Sequence, residues 1–376
     1  MQSPFQELQL FITGPTYVRP EVRQAGLWPE FGHRDAENRK RFEPVMKNLM
    51  ALAQAPEDYQ VIIFNGSGTT AMDASIRSLV ADGETVLNVS VGAFGDLYHK
   101  LAVVNGKKAV QLKFDPGSCI DTSRLKQALD EHRPAVVTLT HNETSTGVTN
   151  DIQEACELIR KSGALALLDG ISIFGGAPSC ISQTRCAMYS TSTQKSLGLP
   201  AGFGIAFVSP DAVSKAEKVE SRGLISDILS QLPRAGKYQT LTTPNCTLAN
   251  QMYMQLEYIV NQEGVEKRFA RHLEMRDMVH GFVDGLEGYE LFAPRENRSP
   301  TLTTVRVPEG ISAARLKEIK ETMRDRGYLF DPGYGKLNDA LEKDGIRPVF
   351  RIGHMGDITV DMLQNYLKSL RKVLPA

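Results

Sequence analysis

Short apolar runs alternate with longer amphipathic segments along the first part of the chain. The run Val61-Ile62-Ile63-Phe64 is followed, after a glycine turn, by Met72, Ile76 and Leu79 at helical spacing. A compact apolar run predicts a strand buried on both faces, and the longer repeat predicts a helix packed on it. Further strand-like runs follow at 84–89, 135–140 and 164–168. The alternation predicts an α/β fold with a mostly parallel sheet.

Polar and glycine-rich clusters directly follow several of these predicted strands. In chain order they are 65–70, 91–95, 141–147, 169–170 and 191–198. The carboxyl ends of parallel strands meet at one edge of a sheet, and open α/β sheets bind their ligands there. We therefore expect these clusters to line a common site.

Lys195 lies among small and hydroxylated residues, and a strand-like apolar run follows it at 202–208. A lysine held in such a cleft loses hydration, so its pKa falls and the neutral amine can attack a carbonyl compound. Taken alone, the segment also fits a loop lysine that points into water, as most lysines do.

The glycine turn at 65–70 joins a predicted strand to a predicted helix. Its small residues Ser67, Gly68 and Thr69 would let an anionic group approach the free N–H groups at the start of that helix. The turn matches neither the G-x-G-x-x-G nor the Walker pattern, which argues against a dinucleotide or ATP. Glycine turns also occur where nothing binds, so the turn alone leaves both interpretations open.

Two further residues suit a flat ligand that contains a basic nitrogen. Phe94 lies between glycines just after a strand, where its ring could cover a ligand or belong to the core. Asp169 directly follows an apolar run, and a buried carboxylate usually needs a cationic partner. Because Asp-Gly is also ordinary turn chemistry, Asp169 could instead cap a turn.

Together these features describe one cofactor. The phosphate cradle at 67–69, the ring of Phe94, the acid Asp169 and the amine of Lys195 match a phosphate, a flat ring, a basic ring nitrogen and an aldehyde. Those are the parts of pyridoxal 5'-phosphate, whose chemistry requires a lysine and an acidic partner for the ring nitrogen. We therefore predict a pyridoxal 5'-phosphate site.

Composition narrows the class of protein. The chain of 376 residues is 41% hydrophobic and 23% charged, which is ordinary for a globular protein with room for two domains. A net charge of -1 gives no electrostatic reason to expect nucleic acid or a membrane surface as a partner. The five cysteines are scattered without a C-x-x-C pair, so we expect neither a disulfide frame nor a metal site. The N-terminus lacks the pattern of a signal peptide, and we expect a cytoplasmic protein.

A series of motifs resembles the class V aminotransferases over nearly the whole chain. The motifs are Gly14-Pro15-Thr16, Gly32-His33-Arg34, Gly66-Ser67-Gly68-Thr69, Gly92-Ala93-Phe94-Gly95, His141-Asn142-Glu143-Thr144-Ser145-Thr146-Gly147, Asp169, Gln194-Lys195 and Phe350-Arg351-Ile352-Gly353-His354-Met355-Gly356. That family includes alanine–glyoxylate, serine–pyruvate and 2-aminoethylphosphonate enzymes. The resemblance implies fold type I, with a mostly parallel seven-stranded sheet in a large domain, a smaller C-terminal α+β domain and a homodimer with shared active sites.

The resemblance also implies roles for individual residues. Lys195 matches the lysine that forms the Schiff base, and Asp169 matches the partner of the pyridine nitrogen. Arg351 matches the arginine that binds the substrate carboxylate, a role suited to the two parallel hydrogen bonds of a guanidinium. The other cofactor contacts would be Ser67, Gly68, Thr69, Phe94, Thr144, Gln194 and, on the phosphate of the neighbouring subunit, Thr242. Relatives often carry Trp or Tyr at the position of Phe94, which keeps the ring face and lacks the polar group.

Three parts of the chain are predicted. Residues 1–16 form an N-terminal arm, in which Gly14 would let the backbone approach the substrate closely. Residues 17–255 form the large cofactor-binding domain, and residues 256–376 form the small domain. The small domain should end in a helix with one apolar face, formed by Leu363, Leu367, Leu370 and Leu374.

The predicted activity is transfer of an amino group from a small amino acid, such as alanine or serine, to a 2-oxo acid such as glyoxylate or pyruvate. A 2-aminoethylphosphonate–pyruvate transaminase is an alternative, suggested by 221–224 together with Glu143-Thr144, and aspartate or phosphoserine donors stay open. Cysteine desulfuration is disfavoured because such relatives carry histidine where Phe94 stands. A cofactor-binding protein without turnover is disfavoured because it would need neither Lys195 nor Arg351. The roles of His33 and Arg34 are left open.

Overall fold

The computed structural model describes residues 5–375. The strands of this part are β1 (Gln9–Leu10), β2 (Gln60–Asn65), β3 (Thr85–Ser90), β4 (Lys108–Lys113), β5 (Val136–Thr140), β6 (Asn142–Glu143), β7 (Val148–Thr149), β8 (Leu165–Asp169), β9 (Met188–Ser192), β10 (Phe203–Val208), β11 (Glu290–Leu291), β12 (Leu302–Arg306), β13 (Tyr328–Leu329) and β14 (Val349–Gly353). The α-helices are α1 (Pro20–Ala25), α2 (Ala36–Ala53), α3 (Gly68–Leu79), α4 (Ala93–Val104), α5 (Thr122–His132), α6 (Ile152–Lys161), α7 (Ile181–Thr184), α8 (Pro210–Ala216), α9 (Ile228–Ala235), α10 (Cys246–Glu257), α11 (Val265–Asp284), α12 (Ala313–Asp325), α13 (Gly335–Lys343) and α14 (Val360–Arg371). A π-helical segment, Tyr258–Glu263, joins α10 to α11, and a short 3-10 helix, Arg295–Asn297, precedes β12.

Seven strands form the central sheet, in the order β2-β10-β9-β8-β5-β3-β4. β10 runs antiparallel to both of its neighbours, and the other pairs are parallel. β5, β9 and β10 are buried along their whole length, as expected for strands covered on both faces. The predicted α/β fold with a mostly parallel seven-stranded sheet is confirmed.

The direction of the strands decides where the polar clusters lie. Because β10 alone is reversed, β2, β3, β5, β8 and β9 all end at the same edge of the sheet. The segments that follow these strands begin at Gly66, Val91, His141, Gly170 and Thr193. This common carboxyl edge is the place where an open α/β sheet binds its ligand.

The C-terminal part of the chain has a hydrophobic core of its own. A three-stranded antiparallel sheet, β11-β12-β14, contributes Val305, Phe350 and Ile352 to this second core. α14 buries Leu363, Leu367 and Leu370 in it, and Leu374 packs against it just beyond the helix. The predicted domain limits at 16/17 and 255/256 stay predictions, and residues 1–4 and 376 of the predicted arm and small domain lie outside the described residues.

The N-terminal segment is attached to this second core. β1 pairs with β13 in parallel, and the Phe11 ring stacks on Tyr366 with ring centroids 3.9 Å apart. The Gly353 N–H donates to the Phe11 carbonyl at 2.8 Å, and a Cβ on Gly353 would lie 2.1 Å from the Ile12 carbonyl oxygen. A side chain at Gly353 would therefore push this segment away.

Within residues 5–375, no helix is both long and apolar enough to cross a membrane.

A buried arginine ties α11 to the segment that carries Lys195. Arg268 is fully buried and donates to the carbonyl oxygens of Ser196 at 2.7 Å and Gly175 at 2.9 Å. Its charge is paired with Asp357 at 2.9 Å and Glu263 at 2.6 Å. A buried charge is tolerated when it is paired and hydrogen-bonded, so each partner of Arg268 depends on the others.

We expect Arg268→Ala to lower the free energy of unfolding by about 3–5 kcal/mol, because it breaks two ion pairs at a fully buried position. It also leaves the carbonyl oxygens of Ser196 and Gly175 without this donor. Asp357 keeps its pair with Arg19, and Glu263 keeps its pair with Arg271. Urea unfolding measures the loss. Arg276→Ala on the same helix is the control: Arg276 pairs with the largely exposed Asp277, and the expected loss is below about 1 kcal/mol. Equal losses in the two variants would contradict the structural role of Arg268.

Candidate active site

The N-terminus of α3 lies against the end of β9. Gly68 is the first residue of α3, and a Cβ there would lie 2.4 Å from Ile171 Cδ1 and 3.3 Å from Ser192 Cβ. The Ser67 N–H donates to Thr70 Oγ1 at 3.2 Å. The close approach of α3 to the strand ends therefore requires glycine at this position, and it presents the free N–H groups of the helix to the carboxyl edge.

Buried polar atoms without a partner collect at the end of β9. Within the described residues, Ser190 Oγ, Thr191 Oγ1, Ser192 Oγ and Gln194 Oε1 are buried and make no hydrogen bond. Leaving such atoms unpaired is costly, and each of them needs an explanation. Ser192 lies beside the start of α3, and Gln194 follows it by two residues, so both are suited to contact a polar ligand at this edge.

Lys195 is half-buried, and its amine lies in a desolvated setting, as its sequence surroundings predict. Its pKa is lowered to about 8, mainly by burial and also by the charge of Arg351, while the charges of Asp169 and Asp331 oppose this shift. The amine donates to the Thr13 carbonyl. Both its charged and its neutral form are therefore accessible near neutral pH.

Gly14 lies directly against Lys195. It has a φ of +109°, and a Cβ there would lie 2.6 Å from Lys195 Nζ. Both the backbone conformation and the lack of space require glycine. The structure thus brings together two residues that are far apart in the sequence and were both predicted to belong to the site.

Asp169, at the end of β8, is 4% exposed. Its Oδ1 accepts a hydrogen bond from the Ile171 N–H at 2.9 Å. The pKa of its carboxyl is raised to about 7, mainly by burial and also by the Glu143 carboxylate, while the Ile171 N–H and the charge of Lys195 oppose this shift. A cationic partner would stabilise the ionised form, which is the environment expected for the acid that binds a ring nitrogen.

Arg351, on β14, is buried and held from two sides. Its Nε and Nη2 donate to Asp331 Oδ1 at 3.2 Å and 3.1 Å, and its Nη1 donates to the Thr144 carbonyl at 2.8 Å. Arg351 therefore reaches from the small sheet to the segment after β5. The contact with Thr144 is made by the backbone, which leaves the Thr144 hydroxyl free to face a ligand.

Glu143 fixes the backbone around Phe94. Its Oε2 accepts from the N–H groups of Phe94 at 2.9 Å and Gly95 at 3.2 Å, in the first turn of α4. Its Oε1 accepts from the Ser145 N–H at 2.9 Å and hydroxyl at 2.7 Å. Burial raises the Glu143 pKa, while an ionised carboxylate suits a helix N-terminus. Phe94 is thereby held at the same edge as Asp169, and its ring lies 6.4 Å from that of Tyr334.

Thr242 lies in a different environment. Its side chain is exposed, and its hydroxyl accepts a hydrogen bond from Asn65 Nδ2 at 2.9 Å. Arg34 donates to the carbonyl oxygens of Thr240 at 2.8 Å and Leu241 at 2.6 Å, and His33 Nε2 lies 3.5 Å from Thr243 Oγ1. His33 and Arg34, whose roles the sequence left open, therefore contact this surface segment.

The family model for aminotransferase class-V matches residues 27–323. The chain belongs to the class V aminotransferases.

Similar proteins cover nearly the whole of this aminotransferase. An uncharacterized aminotransferase of Methanocaldococcus jannaschii is 31% identical over 92% of this chain and 87% of its own length. An L-aspartate–glyoxylate aminotransferase of Paracoccus denitrificans is 27% identical over 97% of this chain and 90% of its own. The crystal structure of an alanine–glyoxylate aminotransferase from Nostoc sp. superposes with a TM-score of 0.91 at 26% identity, covering 100% of this chain and 98% of that chain. The predicted family, the fold type I architecture and an aminotransferase activity are confirmed.

Membership of this family implies pyridoxal 5'-phosphate as the cofactor, and the site fits it. The start of α3 and the unpaired Ser192 and Gln194 suit a phosphate, Asp169 suits a protonated ring nitrogen, and Lys195 supplies the amine. Within residues 5–375, no group of three or more His, Cys, Asp or Glu is arranged to hold a metal ion. The individual contacts of Ser67, Gly68, Thr69, Phe94, Thr144, Gln194 and Thr242 stay predictions.

The aminotransferase site contains two residues that sequence reasoning missed. Asp331 pairs with Arg351, and Thr13 accepts from Lys195 through its carbonyl. Asp331 has a signal that could have found it, because it follows the apolar residues Leu329 and Phe330 and precedes a Pro-Gly turn. The same signal, an acid after an apolar run, identified Asp169. Thr13 has no such signal because its backbone makes the contact.

Without bound cofactor, Asp169→Asn should change how the stability of the aminotransferase depends on pH. The folded-state pKa of about 7 exceeds the ordinary value of 3.8, so the stability contributed by the protonated carboxyl is lost as the pH rises between these values. Each unit of pKa difference corresponds to about 1.4 kcal/mol. We expect the variant to gain stability relative to the wild type between about pH 5 and about pH 8.

Urea unfolding at both pH values measures this change. Asp130→Asn, at an exposed position of α5, is the matched control and should show no such gain. A stability difference between Asp169→Asn and wild type that does not vary with pH would contradict the raised pKa.

Proposed function

We propose that this aminotransferase uses pyridoxal 5'-phosphate to move the amino group of a small amino acid, such as alanine or serine, to glyoxylate or pyruvate. The observation that carries the proposal is the meeting of a buried amine, a buried acid and a held guanidinium at one edge of the sheet: Lys195, Asp169 and Arg351. Two similar proteins support glyoxylate as the acceptor, since the names of both the Paracoccus and the Nostoc enzyme include glyoxylate.

The cofactor, when bound, supplies a ring that accepts electrons as the substrate α-carbon loses a proton. Ser67, Gly68, Thr69 and Gln194 would hold the phosphate, Phe94 would cover the ring and the Thr144 hydroxyl would face it. The Asp169 carboxylate would hold the proton on the ring nitrogen. These roles are supported by the unpaired Gln194 Oε1, the anchored Phe94 backbone and the raised Asp169 pKa.

Lys195 would move the proton. Its Nζ would take a proton from the substrate α-carbon as a base and would later give that proton back as an acid. A pKa of about 8 suits both steps, because proton transfer is most efficient when the pKa of the catalytic group lies near the working pH. Gly14 leaves the space around Nζ free for this movement.

Arg351 would bind the substrate carboxylate. The Thr144 carbonyl and Asp331 hold its guanidinium in place before the substrate arrives, which reduces the entropy lost on binding. A carboxylate bound there orients the α-carbon toward Lys195, whose pKa already responds to the Arg351 charge. Orientation of this kind is a large part of catalysis in two-substrate reactions.

The alternative is a 2-aminoethylphosphonate donor, which appears in the names of four relatives that are 24–27% identical to this chain. It rested on 221–224 and on Glu143-Thr144. Arg222 donates through Nε to Asp227 at 2.7 Å and through Nη1 to the Ala216 carbonyl at 3.1 Å, while Glu143 anchors the start of α4. Arg222 and Glu143 therefore both make contacts within the protein that account for them without a phosphonate substrate.

A homodimer with shared sites also belongs to this proposal, as does a cytoplasmic location. Thr242, which we place on the phosphate of the neighbouring subunit's cofactor, has an exposed side chain near the end of β2. Large apolar side chains such as Leu27 and Leu224 are exposed in the single chain. A partner subunit that covers them would remove apolar surface from water.

A half-reaction screen tests the proposed activity. The cofactor-loaded enzyme is mixed separately with alanine, serine, aspartate, phosphoserine and 2-aminoethylphosphonate, and the absorbance of the lysine-bound cofactor is followed. We expect conversion by alanine or serine. Lys195→Ala should abolish the lysine-bound absorbance and lower the rate at least about 10²-fold, whereas Lys161→Ala at an exposed position should change neither.

Two outcomes would contradict the proposed activity. If Lys195→Ala kept the absorbance and the turnover, or if no donor converted the wild type, the assignment of Lys195 or of the activity would be wrong.

Mixing two inactive variants tests the shared site. Thr242→Asp places a negative charge beside the partner's phosphate and should weaken cofactor binding by repulsion. Lys195→Ala lacks the amine. After subunit exchange, one site of each hybrid dimer has both native residues, so activity should reappear in the mixture. A fully active monomer, or a mixture that stays inactive after demonstrated exchange, would contradict a shared site.

A further inference from the structure

Asp331 is a buried acid that the proposed reaction uses only to hold Arg351 in place. Its side chain is 5% exposed, and its Oδ1 accepts from Arg351 Nε and Nη2 and from the Gly333 N–H at 3.1 Å. Its Oδ2 accepts from the N–H and the hydroxyl of Thr13, both at 3.2 Å. Both oxygens of the Asp331 carboxylate therefore accept hydrogen bonds from other parts of the protein, and these bonds fix the side chain in place.

Asp331 determines which part of the Arg351 guanidinium a ligand can reach. The Nε edge donates to Asp331, and Nη1 donates once to the Thr144 carbonyl. Each terminal nitrogen of a guanidinium carries two N–H bonds, so among the described residues one bond on Nη1 and one on Nη2 have no acceptor. A single carboxylate can accept one hydrogen bond from each of them.

Asp331 also cancels the charge of Arg351. The ion pair, with N–O distances near 3 Å, is almost completely buried, so water screens it little. The Lys195 amine belongs to the same group, and the charges of Asp169 and Asp331 act on it together with that of Arg351. The Arg351–Asp331 pair therefore offers hydrogen bonds to one carboxylate and adds no net positive charge for a second.

We propose that Asp331 is a specificity-determining residue, which holds Arg351 with two N–H bonds left without a protein acceptor and neutralises it, so that the site accepts monocarboxylic substrates and discriminates against dicarboxylic ones. This inference rests on the proposed function, since it takes Arg351 as the residue that binds the substrate carboxylate. It separates alanine or serine as donor from aspartate, which the sequence left open.

Equilibrium binding of propionate and succinate tests the inference without any turnover. The two probes differ by one carboxylate, and calorimetry on the cofactor-loaded enzyme gives both dissociation constants. We expect the wild type to bind propionate at least about tenfold more tightly than succinate, a size typical of one charge interaction in a partly screened site. In Asp331→Asn, which keeps the shape and removes the charge, the preference should fall about tenfold.

Asp227→Asn is the matched control. Asp227 is also a buried acid paired with an arginine, Arg222, at 2.7 Å, and it lies outside the group around Arg351. This variant should keep the wild-type preference. A purely structural role for Asp331 predicts instead that Asp331→Asn weakens both probes equally and leaves their ratio unchanged, which would overturn the inference.

The wild-type measurement decides the matter even if Asp331→Asn fails to fold, because succinate binding as tightly as propionate would overturn the inference by itself. Failure of the proposed function has a different signature, in which no amino donor converts the cofactor while propionate still binds in preference to succinate. Arg351→Gln checks the assumption that both probes occupy this site, since it should weaken propionate binding.

Discussion

The active site depends on charges that are kept away from water. Asp169, Arg351, Asp331 and Glu143 are buried at or beside the carboxyl edge of one sheet, and Lys195 is half-buried among them. Burial disfavours the charged form of each group, and nearby opposite charges and hydrogen bonds restore part of it. The balance leaves Lys195 and Asp169 with pKa values near neutrality, so the scaffold that buries them also makes them reactive. Strand direction is the reason why they meet.

Much of the fold was predictable because it rests on local patterns. Apolar runs such as 61–64 and 164–168 are buried strands, and the clusters after them lie where parallel strands end. Lys195 and Asp169 could be selected because a charged residue next to an apolar run is informative in itself. Glycine was informative at Gly14 and Gly68, where the structure has no room for a side chain.

Contacts made by the backbone and contacts between distant segments could not be predicted from the sequence. The Thr13 carbonyl that accepts from Lys195 would be supplied by any residue at that position. Asp331 carries a local signal, yet its partner Arg351 is recognisable only after β13 and β14 are brought side by side. Glu143 was noted for a different reason, and its role in holding the first turn of α4 became visible only through hydrogen bonds to Phe94 and Gly95.

The attachment of the N-terminal segment has a consequence for biosynthesis. Thr13 and Asp331 are separated by 318 residues, and Phe11 stacks on Tyr366 of the last helix. A ribosome makes the first of these residues long before the second, and domains tend to fold in the order in which they emerge. The central sheet can form while the chain is still growing, whereas the surroundings of Lys195 are completed only when translation has almost finished. A nascent chain of this aminotransferase therefore acquires its scaffold early and its reactive amine environment last.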